Sequence, residues 1–165
     1  MATLYLMVGL PCSGKTTRAK ELENELAALR LTPDEWHVRL FGHDIYDPLH
    51  DQRHNQIESL LWQVAVRTLS LGTNVILDFG FWAREERAAY RTGAQAVGAC
   101  SEIIYLHVSE TELLRRLHVR NAALNHDVHY IPETLMQSWL EFFQEPDAAE
   151  LQRRACEDSN TGFVR

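Results

Sequence analysis

The sequence predicts an α/β fold in which a parallel sheet is covered by helices on both faces. Apolar runs of strand length, at residues 4–8, 74–79 and 102–108, alternate with longer segments whose apolar residues recur at helical spacing. The first run leads directly into Gly9-Leu10-Pro11-Cys12-Ser13-Gly14-Lys15-Thr16, a phosphate-binding loop in the context such a loop requires, with a strand before it and a helix after it. The chain has 165 residues, enough for one such domain to bury about 70% of the surface its unfolded form exposes.

The elements follow in order. After the loop, Ala19, Leu22, Leu26 and Leu29 fall at helical spacing, with Lys20, Glu21, Glu23 and Glu25 between them, which predicts a helix over 14–28. A short strand is expected over 29–32. Thr32-Pro33-Asp34-Glu35 then reads as a capping box with proline at the first helical position, so a second helix starts at Pro33 and stops at Gly42. The polar and aromatic segment 42–51 has no period and reads as a surface loop. Ile57, Leu60, Leu61, Val64, Ala65 and Leu69 predict a long amphipathic helix over 52–71, closed by Gly72.

Residues 74–79 read as a buried strand carrying an acid near its end, 83–97 as a helix rich in Ala and Arg, and 102–108 as the next strand. Ser109-Glu110-Thr111-Glu112 is a second capping box, opening a helix that runs to about residue 123. The pattern breaks over 124–130. A further helix runs from Pro132 through Phe143 to the stop at Pro146, and a short helix over 147–156 and a short strand over 162–164 complete the expectation. No repeat, low-complexity tract or linker divides the chain, so a single domain over 1–165 is expected.

Lys and Arg number 16 against 23 Asp and Glu, a net charge of −7. That balance disfavours unspecific binding to a nucleic-acid backbone, which needs a broad basic face. The three cysteines, Cys12, Cys100 and Cys156, show neither a disulfide framework nor a zinc pattern, which fits a reducing cytosol. No charged region precedes the first apolar run, and no apolar stretch approaches the ~20 residues that span a bilayer. A cytoplasmic protein without a membrane segment is expected.

In a parallel α/β sheet the ligand sits beyond the carboxyl ends of the strands, and the candidate residues cluster there. Backbone N–H groups around Gly9, Cys12, Ser13, Gly14 and Thr17 would cradle the phosphates of a nucleotide, ATP in the simplest reading. Lys15 would reach the β- and γ-phosphates, and the Thr16 hydroxyl would bind Mg²⁺. Asp78, at the end of Val75-Ile76-Leu77, has the position of an acid that holds the same ion directly or through water; it could also only hydrogen-bond the following turn. Asp34 could accept a proton from a substrate hydroxyl, or serve only as a favourable acid in the first turn of a helix. Arg116 and Arg120, four apart on one helix face, could clamp phosphates with 124–130 as a lid; Glu112 gives Arg116 the alternative of an ordinary helix pair.

For the acceptor, Arg39, His43, Asp44, Arg84 and Arg87 are the candidate contacts, the two latter balanced against a purely decorative role beside Glu85 and Glu86. His43, Asp44, His50, Asp51 and His54 superficially suggest a metal cluster, but their irregular spacing fits no zinc template, and a substrate-recognition loop is the favoured reading. His126 and His129 read as surface residues of the lid.

The loop GLPCSGKTT with its helix, the Asp of TPDEW, the strand VILDFGFWAREER and the arginine helix LLRRLHVRN together resemble the small P-loop kinases grouped with zeta toxins, chloramphenicol phosphotransferase and the kinase domain of polynucleotide kinases, often labelled AAA-family ATPases. The resemblance spans most of the chain to about residue 123. It implies a three-layer P-loop NTPase fold with five strands in the order 2-3-1-4-5, phosphate and metal binding by Lys15 and Thr16, Asp34 as the base, and Arg116 or Arg120 in a lid around 116–131. The expected activity is ATP- and Mg²⁺-dependent phosphorylation of a small-molecule hydroxyl, such as that of an antibiotic, nucleoside or sugar. The alternatives are a 5′-hydroxyl polynucleotide kinase and a regulatory ATPase without an acceptor. Neither the acceptor, the nucleotide base nor the oligomeric state is specified by the sequence.

Overall fold

The computed structural model describes residues 1–44, 46–123 and 131–154. Four strands, β1 (Thr3–Val8), β2 (Ala28–Leu31), β3 (Asn74–Gly80) and β4 (Cys100–Tyr105), pair in parallel in the order β2-β3-β1-β4. The helices are α1 (Lys15–Glu25), α2 (Pro33–Phe41), α3 (His50–Ser70), α4 (Arg84–Ala96), α5 (Glu110–Ala122) and α6 (Glu133–Phe142). Each parallel connection passes through at least one helix, because strands that run the same way cannot be joined by a tight turn.

All six residues of β1 are buried, as a central strand covered on both faces requires. Leu4, Leu6 and Val8 point to one face and pack with Ile57, Leu61, Ala65 and Leu69 of α3 and Ala94 of α4. Tyr5 and Met7 point to the other and pack with Ala19 and Leu22 of α1. These two cores make the three layers. A third cluster, Leu117 with Ile131 and Met136, joins α5 to the start of α6 and touches Cys12 of the phosphate loop.

The order of strands 1 to 4 agrees with the expected 2-3-1-4-5, but a fifth strand is absent among the described residues; the segment 162–164 lies outside them, as does most of the lid segment, with His126 and His129. The outer edge of β4 instead meets Arg154 in an isolated antiparallel bridge to Ser101. Within the segment expected to be helical over 147–156, residues 148–152 form turns built on Asp147, whose carboxylate accepts from the backbone N–H of Ala149 and Glu150, and 155–156 lie outside the described residues. The first capping box is also corrected. Thr32 is the N-cap residue without a side-chain cap, because its hydroxyl is engaged by Arg30 and Asp78, while Glu35 pairs with Arg30. The second box is half formed: Ser109 accepts from the Glu112 backbone, but the Glu112 carboxylate turns to Arg115 and Arg116. Cys12 is free and Cys100 is disulfide-bonded, against the expectation of no disulfide. Among the described residues no helix is long and apolar enough to cross a membrane.

Two buried arginines fix the segment 144–154 along α4 and the edge of β4. Arg87, fully buried, makes a two-pronged ion pair with Glu150 at 2.9 and 3.0 Å and donates to the carbonyls of Phe81, Trp82 and Gln144. Arg91, one turn later, donates to the Glu150 and Gln152 carbonyls and to the Ser101 hydroxyl. Removing one partner of such a pair leaves a charge without compensation in a place water does not reach. Glu150→Gln is therefore expected to cost about 3 kcal/mol, measured as a lower midpoint of urea unfolding; a midpoint equal to that of the parent protein would show that the pair is not what fixes this segment.

Tyr90 packs against Trp62, Phe79 and Phe81, with ring centroids 4.7, 6.0 and 4.9 Å away. Burial, helped by the charges of Glu58 and Glu86, pushes its hydroxyl from 10.0 up to about 12. The raised value means that this contribution to stability is complete below the ordinary tyrosine pKa and is lost as pH rises through the folded value. Stability should thus fall between about pH 10 and 12, and Tyr90→Phe should make that fall shallower in unfolding curves taken across this range.

Candidate active site

The site forms where the central strand ends. After β1 the backbone turns through Gly9, whose φ of 152° and surroundings both exclude a side chain: a Cβ would meet Ser13 Oγ at 2.8 Å and the Leu106 carbonyl at 3.2 Å. Cys12 and Gly14 take left-handed φ values of 67° and 96°. Alternating backbone hands of this kind turn successive N–H groups into one concavity, which α1 extends because its own first N–H groups lack helical acceptors. Lys15 opens α1, and its ammonium donates to the Leu10 carbonyl at 2.9 Å across the loop. Burial pulls the Lys15 pKa down, while the charges of Asp78 and Asp34 oppose that shift.

Asp78 sits on β3, beside β1, and is 7% exposed. Its carboxylate is pushed upward by burial and drawn back by a hydrogen bond from Thr16 and by the charge of Lys15; Thr32 donates to it at 3.4 Å. A carboxylate and a hydroxyl facing one another beside the phosphate loop are the hard oxygen donors Mg²⁺ prefers, so Thr16 and Asp78 fit that ion. Asp34 stands in the first turn of α2 and is exposed. It lines the same cavity as Lys15, Thr16, Thr17 and Asp78, a cleft of about 950 Å³. Glu35 next to it is engaged elsewhere, at 3.1 Å from Arg30 and 3.7 Å from Lys20.

From the other side α5 brings its two arginines to the loop. Arg116 donates to the carbonyls of Cys12 and Ser13, each at 3.3 Å, and to Glu112 at 2.7 Å. Arg115 and Arg116 together hold the Glu112 carboxyl down at about 2. Arg120 lines the cavity, with Nη1 4.0 Å from Cys12 Sγ. Arg116 thus makes the helix pair with Glu112 and also ties α5 to the phosphate loop.

The acceptor candidates divide. His43 and Asp44 line the cavity. Arg39 lies on the exposed side of α2, outside the lining. Arg84 and Arg87 do not line it either: Arg84 is exposed and pairs with Asp147 at 2.9 Å, and Arg87 is consumed by Glu150. The reason is the rotation of α4, which turns Arg87 and Arg91 toward the segment 144–154 rather than toward the loop.

The cavity is also lined by His37 and Asn55, which the sequence did not single out, together with His50 and His54 of the expected substrate-recognition loop. His37, on the buried side of α2, approaches Asp44 Oδ1 with Nε2 at 2.6 Å, and His50 Nδ1 approaches the same oxygen at 2.8 Å. Arg53 donates to Asp44 Oδ2 at 2.5 Å. The signal for His50 and His54 was their four-residue spacing, which puts them on one face once α3 begins at residue 50 rather than 52.

Comparison with known proteins agrees with this architecture. The profile of a family described as AAA domain matches residues 4–146. Among solved structures, the chain is similar to a chain of the Pnkp1/Rnl/Hen1 RNA repair complex, at 20% identity and a TM-score of 0.70, with 99% of this chain and 52% of that one covered. It thus spans about half the length of that relative. It is also similar to Chaetomium thermophilum Kti12 in complex with ADP-AlF3, at 18% identity and a TM-score of 0.69 over 88% of this chain and 82% of that one. A gluconokinase from Sinorhizobium meliloti 1021 follows at 21% identity and a TM-score of 0.61, over 91% and 78%. No curated protein matches the chain. With its family profile covering most of its length and a phosphate loop at the end of a parallel 2-3-1-4 sheet, the chain belongs to the AAA domain family and has a P-loop kinase-like fold.

Proposed function

We propose that the protein is an ATP- and Mg²⁺-dependent kinase that phosphorylates a hydroxyl group of a small molecule. The observation that carries this reading is the presence of Asp34 in one cavity with Lys15 and the Thr16–Asp78 pair. A carboxylate that is not engaged in capping, on the open side of a phosphate site, is the group a hydroxyl acceptor needs. The acceptor oxygen bonds to the γ-phosphorus, its proton passes to Asp34, and the bond from that phosphorus to the β–γ bridging oxygen breaks, with ADP leaving.

Lys15 and the loop N–H groups hold the phosphates and neutralise the charge that spreads over the transferred group. Arg120, at the cavity edge, adds to that neutralisation, and Arg116 keeps α5 against the loop. Bound Mg²⁺ would screen the β- and γ-oxygens, held by Thr16 and Asp78. His43 and Asp44 belong to the acceptor side. A gluconokinase and a chain of an RNA repair complex share this fold, so the fold itself is compatible with either a small-molecule or a nucleic-acid acceptor. The net charge of −7 favours the small molecule.

Asp34→Asn tests the base. Turnover should fall about 10²- to 10⁴-fold while ATP affinity and melting temperature stay near those of the parent protein; undiminished turnover would remove Asp34 from the mechanism. For the acceptor class, ATP consumption should be stimulated by a sugar, nucleoside or antibiotic. Stimulation confined to 5′-hydroxyl oligonucleotides, with an affinity that drops steeply with salt, would instead establish the polynucleotide reading.

A further inference from the structure

We propose that His37, Asp44, His50 and His54 form a second cation site, for a first-row transition-metal dication of the Zn²⁺ type, in the same cavity as the Thr16–Asp78 position but distinct from it. His37 Nε2 and His50 Nδ1 both contact Asp44 Oδ1, at 2.6 and 2.8 Å, and one ligand atom from each of the three residues falls within 4.8 Å of the others. His54 stands beside them, its ring centroid 5.6 Å from that of His37 and 6.1 Å from that of His50. His37, Asp44 and His50 supply three converging donors, and His54, four residues after His50 on the same helix, completes a four-coordinate set by closing in on them.

The chemistry selects the ion. Imidazole nitrogen favours Zn²⁺, Co²⁺ or Ni²⁺ over Mg²⁺, which takes oxygen. Donor atoms around a zinc ion stand about 3.3 Å apart, given metal–ligand distances of about 2.0 Å, so the two contacts to Asp44, at 2.6 and 2.8 Å, need open by only about 0.5 to 0.7 Å. The surroundings already supply outer partners of the kind that orient metal ligands: Arg53 holds Asp44 Oδ2, leaving Oδ1 for the metal, and Glu58 Oε1 lies 3.4 Å from His54 Nε2, leaving Nδ1 as that ring's ligand atom. His37 is 3% exposed and its Nδ1 has no partner among the described residues, so no hydrogen bond fixes the tautomer of the ring whose Nε2 faces Asp44. All four residues line the cavity that contains Asp34, so an ion there would stand on the acceptor side of the site. Binding of the ion does not depend on the kinase reading, and its test uses no nucleotide.

Full-length protein, free of nucleotide and in excess Mg²⁺, is titrated with Co²⁺. The expected result is one equivalent bound, with the visible absorption of a four-coordinate Co²⁺ centre that Zn²⁺ abolishes. His50→Gln and His54→Gln should each weaken Co²⁺ at least about tenfold; should His50→Gln unfold, His54→Gln decides alone. Absence of the visible band, unchanged affinity in the folded histidine variants, or loss of the signal in Asp78→Asn instead would overturn the proposal.

Discussion

The structure depends on one constraint: the phosphate loop must leave a strand whose own position cannot shift. β1 meets it by lying between β3 and β4 with every residue buried, so that Gly9 begins its turn from a fixed point. The Val8 to Gly80 register then sets Asp78 two residues from the place where β3 passes the loop, within reach of Thr16 on the first turn of α1. Oxygen donors from two elements more than sixty residues apart in sequence are thus aligned by the sheet itself, and no loop has to be ordered to bring them together.

Around this frame the other groups are supported by polar ties rather than by more core. Arg116 holds α5 to the carbonyls of Cys12 and Ser13, Arg30 gathers Glu23, Glu35 and Thr32 beneath α2, and Asp44 joins α2 to α3 through His37, His50 and Arg53. The division has a physical sense. The strand that carries the phosphate loop is fixed by burial on both faces, while α2, α3 and α5 are tied to it and to one another by hydrogen bonds as well.

This division also explains which parts were legible in the sequence. A central strand and its helices announce themselves through period, because burial on one face or both dictates where apolar residues fall. The places of the loop, Asp78 and Asp34 at the carboxyl ends of the strands could be read for that reason. The ties could not. Thr32 and Glu35 have the spacing of a capping box, but Arg30, two residues earlier on β2, competes for both. Arg87 and Arg91 look like the solvated face of α4, and only the return of 144–154 along that face makes them buried. The cluster of His37, Asp44 and His50 draws on two helices and the connection between them, so its spacing in sequence follows no ligand pattern.

The central claim is that the γ-phosphoryl group goes to an organic hydroxyl across the cavity shared by Lys15 and Asp34. Phosphorus NMR of the protein incubated with ATP, Mg²⁺ and a small-molecule extract of cells reads its fate directly. The account predicts a new phosphomonoester resonance growing in step with ADP and missing when Lys15→Ala replaces the parent protein. Growth of inorganic phosphate alone, in the same proportion to ADP, would contradict it.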